Sequence, residues 1–375
     1  MVEYIQTEVH CDLLHVHRTY PTRYPYLLES VAQAGLTARY DILFGFPEQT
    51  LELTELDTLK GEGFTPCGAD FLANFDTWWS QHNLPAASGI PFPFTGGWFV
   101  YLGYELAAQI EPRLHYAGGR ASAKTSHNSQ PIAQHKLPVA YAARIPAAFI
   151  KDHSSGKLFL IAERGRTELL DLMQADLSAL NQSAFRSRPL LNGALQEEPP
   201  QRYIDGVQRI LRYIKEGDIF QVNLSREWCG ELTEGVAAVD IYQCLREQNP
   251  APFAGLAQYG DAAIISSSPE RLVSVRDGII ATRPIAGTHP RDQTHLTDPD
   301  DMQTLLSHPK ERAEHIMLID LGRNDLGRVC VPGSVTVDEL MTVESYAHVH
   351  HIVSNIRGRL RSSITPGQVL RAVFP

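Results

Sequence analysis

Apolar and polar positions alternate most regularly in the second half of the chain. Three apolar-rich runs, Ala262 to Ser266, Leu272 to Val275 and Ile279 to Thr282, are separated by turn signals, and Asp277-Gly278 is a strong two-residue hairpin signal. The stretch from Gly260 to Thr288 therefore predicts a β-meander. Upstream, Ile204, Val207, Ile210, Leu211 and Ile214 recur at helical spacing, and Gly217 stands where a left-handed cap residue would end a helix at about Glu216. Ile219 to Ser225 predicts a strand with Phe220, Val222 and Leu224 on one face and Gln221, Asn223 and Ser225 on the other. Its amide pair either faces solvent or lines a polar cavity. Ser307-His308-Pro309 is a helix start, with Ser307 as cap, for a helix ending near Gly322. Arg323-Asn324-Asp325 then predicts a polar turn leading to Val335 to Val337, and Ala347 to Ser354 predicts a strand.

The first half reads as short strands and turns. It carries one predicted helix over Tyr26 to Ala34, strands over Arg39 to Gly45, Ala140 to Phe149 and Leu158 to Ala162, and an amphipathic helix over Thr167 to Leu180. Phe92 to Glu105 is dense in aromatics beside Gly96-Gly97, which predicts close core packing. Ala117 to Lys136 has almost nothing to bury and predicts a mobile loop. Residues 181–200 are polar and Pro-bearing, so the predicted organisation is a β-rich region 1–180, a linker 181–200 and a second region 201–375.

Composition narrows the function classes. The length of 375 residues allows two or three domains, and 43% hydrophobic with 20% charged residues is ordinary for a globular protein. A net charge of -10 without a Lys/Arg stripe argues against nucleic acid as a partner. The five cysteines are scattered and never in a Cys-x-x-Cys pair, which suits reduced thiols. Met1 to Glu8 lacks a basic segment followed by an apolar one, and no 18-residue apolar run occurs, so the expected location is cytoplasmic with no membrane contact.

Candidate chemistry gathers on a few residues. Glu270 follows Ser-Ser-Ser-Pro, where a strand must end and turn, so backbone geometry fixes it; it is either a solvated turn acid or a catalytic acid. Glu311 and Glu314 lie at i and i+3 of the predicted helix, either as N-terminal acids facing the helix dipole or as half of a Mg²⁺ site. His348, His350 and His351 cannot converge on one ion from a strand, which points to a single functional histidine near a carboxylate.

Gly217-Asp-Ile-Phe-Gln-Val-Asn-Leu-Ser225, Ser267-Ser-Pro-Glu-Arg271, Pro284-Ile-Ala-Gly-Thr288, Lys310-Glu-Arg-Ala-Glu314, Asp320-Leu-Gly-Arg-Asn-Asp325 and His348-Val-His-His351 occur in this order, and Leu27-Leu-Glu-Ser30 and Gly96 to Glu105 extend the pattern toward the N-terminus. The set resembles the chorismate-utilising enzymes, which include component I of anthranilate synthase and of aminodeoxychorismate synthase, and the isochorismate and salicylate synthases. The resemblance implies an α+β fold of two antiparallel sheets packed face to face with helices outside, a substrate cleft between them, and Mg²⁺ on the substrate carboxylates. It implies Glu270 as the general acid that protonates the departing C4 hydroxyl, His351 as the active-site histidine, Thr288, Ala286 and Gly287 in the cleft, and Glu314 with Glu311 as metal ligands. Gln221 stands where water-using members carry a Lys base. A neutral amide there implies ammonia as nucleophile, delivered by a separate glutamine amidotransferase subunit in a heterodimer, because no Gly-x-Cys-x-Gly nucleophile motif is present.

Gln-Val-Asn-Leu and His350-His351 resemble aminodeoxychorismate synthase component I, the favoured reading. Ala286 matches the anthranilate synthases, the alternative, because it lacks the Lys proposed as a nucleophile in many aminodeoxychorismate synthases. The family pattern continues past a Phe-Pro like Phe374-Pro375 into further substrate and metal residues, which implies that the 375-residue chain is truncated, binds Mg²⁺ weakly and has little activity alone. The remaining alternative is a binding module, with Glu29 and Ser30 beside a tryptophan pocket.

Overall fold

The computed structural model describes residues 2–9, 11–32, 39–82, 92–111, 113–114, 137–180, 188–291 and 306–374. The loop predicted over 117–136 lies outside the described residues. The chain forms two compact units, Met1–Gln182 with Tyr242–Pro375, and Ser183–Ile241.

The strands, in chain order, begin with Glu3–Thr7 (β1), Tyr26–Glu29 (β2), Tyr40–Gly45 (β3), Thr50–Glu55 (β4), Thr58–Glu62 (β5), Gly97–Leu102 (β6), Ala140–Ile145 (β7), Ala147–Asp152 (β8) and Lys157–Ala162 (β9). Gln196–Glu197 (β10) and Trp228–Cys229 (β11) form a ribbon in the smaller unit. The larger unit then adds Phe253–Tyr259 (β12), Ala262–Ser268 (β13), Ser274–Arg276 (β14), Ile279–Thr282 (β15), Ile285–Pro290 (β16), Thr336–Ser345 (β17) and Val349–Arg359 (β18). The helices are Leu13–Thr19 (α1), Phe71–His82 (α2), Ala107–Ile110 (α3), Thr167–Ala179 (α4), Pro200–Glu216 (α5), Ala238–Gln248 (α6), Pro309–Gly327 (α7) and Pro366–Val373 (α8).

The larger unit holds a seven-stranded sheet in the order β1-β9-β8-β3-β2-β12-β13, a four-stranded sheet β5-β4-β7-β6, and a five-stranded sheet β14-β15-β18-β16 with β17 also on β18. Every strand pairing among the described residues is antiparallel, which makes the fold α+β. The seven- and four-stranded sheets share a core of Tyr26, Phe44, Ala143, Ile145 and Ala148, where the Tyr26 ring stacks on Phe99 at 3.9 Å. The five-stranded sheet buries Ile280 and Ile356 against Ile319 and Leu326 of α7 and Val369 and Val373 of α8. Each such fully buried aliphatic side chain contributes about 1.5–3 kcal/mol. Asp76 of α2 accepts hydrogen bonds from Thr365 Oγ1 and the Gly367 N–H, both 2.6 Å, and so fastens the start of α8.

Several sequence expectations change here. The predicted helix from Tyr26 is a strand over Tyr26–Glu29, because β2 is paired on both edges, by β3 and β12, and that ladder outweighs local helix preference. Ala140 to Phe149 is two strands, because Pro146 separates β7 and β8 and sends them into different sheets. The Gly260 to Thr288 meander is instead a crossover: β13 ends the seven-stranded sheet and β14 opens the five-stranded one. Its hairpin forms as predicted, with φ of 52° at Asp277 and 72° at Gly278. Ile219 to Ser225 has no ladder partner among the described residues and is not a strand; Phe220 is exposed.

The helix before it ends as predicted, α5 closing at Glu216 with Gly217 at φ 80°. Helix α7 starts at Pro309 with His308 as cap and continues through Arg323-Asn324-Asp325 to Gly327, past the expected stop at Gly322. Gly322 serves packing there: a Cβ on it would stand 2.7 Å from Ile356 Cδ1 of β18. The sequence boundary at 181–200 meets the start of the smaller unit, while β2 from the first region pairs with β12 from the second.

Candidate active site

Strand β16 brings most of the candidate residues together. Its register against β18 shifts between Ile285 and Thr288, a bulge that Gly287 permits by taking φ 89°. After the bulge Thr288 lies opposite His351, with Thr288 Oγ1 2.9 Å from His351 Nδ1. Glu270 reaches the same strand from the sheet-to-sheet crossover. Pro269 and the Ser268 hydroxyl, which accepts the Glu270 N–H at 3.2 Å, fix its backbone. Its carboxylate accepts the Ile285 N–H at 3.1 Å. The corner is solvent-accessible, yet the protein around the carboxyl raises its pKa by desolvation, opposed in part by the Ile285 hydrogen bond. Such a carboxyl stays protonated to higher pH than a free one, as a proton donor requires.

His351 is buried, and burial lowers its pKa; the Glu344 charge and a Gly287 backbone hydrogen bond act in the opposite direction, while His350 lowers it further. The ring is thus a neutral donor and acceptor near pH 7. His350 points to the other face of β18, where its Nδ1 lies 2.7 Å from Ser345 Oγ. The histidines do diverge as strand alternation requires. Ala286 is buried.

Glu311 and Glu314 sit in the first turns of α7. A Cβ at Gly287 would stand 2.9 Å from Ile352 Cδ1, too close without a shift, and 3.4 Å from Glu311 Oε2, which places that carboxylate in contact range of β16. Among the described residues no group of three or more His, Cys, Asp or Glu forms a metal-holding set. Two carboxylates without nitrogen or sulfur ligands fit a hard cation that completes its shell with water and substrate oxygens. Gln221 lies in the smaller unit, exposed.

Two features here escaped the sequence, and a third adds partners to the Glu29 and Ser30 reading. Buried His315 joins Ala286 O at 3.2 Å to Ser354 Oγ at 2.7 Å. Arg283 holds Glu344 at 2.5 Å, and Tyr346 donates to the other Glu344 oxygen at 2.5 Å while its ring lies 5.5 Å from that of His351. Glu29 and Ser30 belong to a separate cavity of ≈ 500 Å³ lined also by Asp41, His153, Gln243 and Arg246. There Arg246 Nη1 is 3.0 Å from Glu29 Oε1 and Nη2 also bonds Asp12, while Asp41 accepts the Ser30 N–H at 2.9 Å and lies 2.9 Å from His153 Nε2. Apart from the neighbours Glu344, Tyr346 and His351, these pairings join residues well separated in sequence, and only the His-rich strand, the acid pair of α7 and the Leu27-Leu-Glu-Ser30 motif carried a local signal.

The profile of the family described as chorismate binding enzyme matches residues 30–375. The chain belongs to that family. Anthranilate synthase component 1 of Pseudomonas aeruginosa is 36% identical, the match covering 93% of this chain and 72% of that protein. Aminodeoxychorismate synthase component 1 of Bacillus subtilis is 35% identical, over 93% of this chain and 72% of that one. The crystal structure of anthranilate synthase component I from Streptococcus pneumoniae TIGR4 superposes with a TM-score of 0.72 at 27% identity, covering 91% of this chain and 74% of that chain. As a member of the chorismate binding enzymes, the chain is a chorismate-utilising enzyme of the anthranilate or aminodeoxychorismate synthase type. Among the described residues no helix is long and apolar enough to cross a membrane.

Proposed function

We propose that the protein converts chorismate and ammonia to 4-amino-4-deoxychorismate and water. The observation that carries acid catalysis is Glu270, a carboxyl of raised pKa tethered to Ile285 at the head of the strand that presents Thr288 to His351. Hydroxide leaves an allylic carbon poorly, so Glu270 protonates the C4 hydroxyl as it departs. Thr288 and His351 hold and orient the substrate, and the buried Ala286 offers no nucleophile, so ammonia adds directly. Glu311 and Glu314 would hold Mg²⁺, which when bound neutralises the substrate carboxylates. Ammonia is supplied by a partner glutamine amidotransferase, as the neutral Gln221 in place of a Lys base implies. The choice of product rests on Gln221-Val-Asn-Leu224 and His350-His351 and is supported by the similarity to the Bacillus subtilis protein.

Ala286 and the similarity to the Pseudomonas aeruginosa protein favour a second reading, in which the product is anthranilate. Incubation of the full-length protein with chorismate, Mg²⁺ and an ammonium salt, followed by mass spectrometry, separates the two: 4-amino-4-deoxychorismate is expected, and anthranilate overturns the choice. The cavity at Glu29 and Ser30 suits the ammonium group of an amino acid such as tryptophan, facing Glu29 and Asp41. Calorimetry with tryptophan should give saturable binding that Ser30→Trp abolishes; no heat with the unaltered protein rejects that role.

A further inference from the structure

His315 is fully buried, follows Glu314 directly, and has no part in the chemistry above. Its hydrogen bonds fix where its proton sits. The Ala286 carbonyl can only accept, so Nδ1, 3.2 Å away, carries the hydrogen. Ser354 Oγ accepts the Met341 N–H at 2.9 Å, leaving its own hydrogen for His315 Nε2 at 2.7 Å. Donation thus runs one way, from the Met341 N–H through the Ser354 hydroxyl and the imidazole to the Ala286 carbonyl.

Both ends of this chain fall at irregular backbone. Ala286 lies within the β16 bulge, beside Gly287 at φ 89°. Met341 takes φ 52° within a second register shift, between Glu339 and Thr342 of β17. A non-glycine residue in the left-handed region is strained and persists only where its surroundings hold it. The imidazole is hydrogen-bonded to both irregular stretches, directly at Ala286 and through Ser354 at Met341, from a third element, α7, whose preceding turn carries Glu311 and Glu314.

We propose that His315 is a positioning residue that locks the β16 bulge to α7 and thereby sets the Glu311 and Glu314 carboxylates at a working distance from Thr288 and His351. Its effect on the metal rests on the reading of those carboxylates as Mg²⁺ ligands; its tautomer and its hold on β16 do not.

Asparagine and glutamine separate the two arms of the ring, since the Asn amide nitrogen falls near Nδ1 and the Gln amide nitrogen near Nε2. His315→Gln should lower kcat and raise the Mg²⁺ concentration for half-maximal chorismate turnover at least tenfold, and His315→Asn should recover most of both. Equal losses in the two variants would show a merely structural core residue and overturn the proposal. The unaltered protein supplies a test that needs no variant to fold: ¹⁵N spectra of labelled histidine should show His315 as the neutral Nδ1–H tautomer, and an Nε2–H tautomer overturns it. Turnover without any Mg²⁺ dependence in the unaltered protein would reject the metal reading alone. The proposal would then stand or fall on the tautomer and on the kcat difference between the Asn and Gln variants.

Discussion

At the Glu29 cavity every buried charge faces an opposite one: Arg246 lies between Glu29 and Asp12, and Asp41 meets His153. Around β16 the pattern is reversed. His315 and His351 are held toward the neutral form by burial, and Glu270, with a single backbone donor on its carboxylate, is held toward the protonated form. The difference separates recognition from chemistry. Charges paired within the protein preorganise a cavity for a charged ligand, and a proton exchanged there acts on folding stability, whereas groups kept near neutrality without a charged partner can exchange one with a substrate.

The sharpest break is at Glu270. Glu270→Gln keeps the shape and removes the acid, so kcat for chorismate should fall about 10²–10⁴-fold, while the melting temperature should hardly move because the corner is accessible to solvent. The raised pKa gives the unaltered enzyme an acid that is lost as pH rises through it, and that alkaline decline in kcat should vanish in the variant. A loss below tenfold would move Glu270 from catalyst to turn residue.

The cavity should answer to stability instead. Arg246→Met leaves Glu29 buried without its cation, which should destabilise the protein by about 3 kcal/mol in urea unfolding and leave kcat within about twofold. A large kcat loss with unchanged stability would mean that the cavity and the β16 region are not separable. Between the two lies Gly287→Ala, which forces a side chain into the left-handed region and against Ile352; a cost of about 1–2 kcal/mol in urea unfolding is expected, with kcat also falling because the β16 bulge that sets Thr288 opposite His351 is disturbed.

How legible these regions were depended on the range of the interactions. Asp277-Gly278, Gly217 and the alternation of His350 and His351 are local rules, and they held. Tyr26 to Glu29 failed because a strand flanked on both edges draws its stability from β3 and β12, which a window of neighbours does not contain. Gly322 failed because a helix glycine can mark either an end or a close approach, and only the position of Ile356 decides. Glu270, Thr288 and His351 could be named from motifs, but their convergence depends on the Gly287 bulge. The Arg246 pairings span 234 and 217 residues and left no local trace.

Glu29 offers the smallest and most diagnostic change. Burial raises its pKa from 4.5 to about 7, against the pull of Arg246 and with Asp41 and Asp12 adding to the rise. A carboxyl whose pKa is raised on folding contributes stability that is present below its unfolded value and lost as pH rises through its folded one. Between about pH 4.5 and 7 this one site should therefore lower the folding free energy by up to about 1.4 kcal/mol per pH unit. Glu29→Gln has no proton to lose, so its stability should fall less steeply across that window than that of the unaltered protein, with the curves diverging in the variant's favour toward pH 8. Thermal unfolding at half-unit pH steps measures the slope. Parallel curves would mean that Arg246 keeps Glu29 ionised throughout, and the cavity would then be a fixed ion-pair site with no proton linkage, making its contrast with the β16 region sharper still.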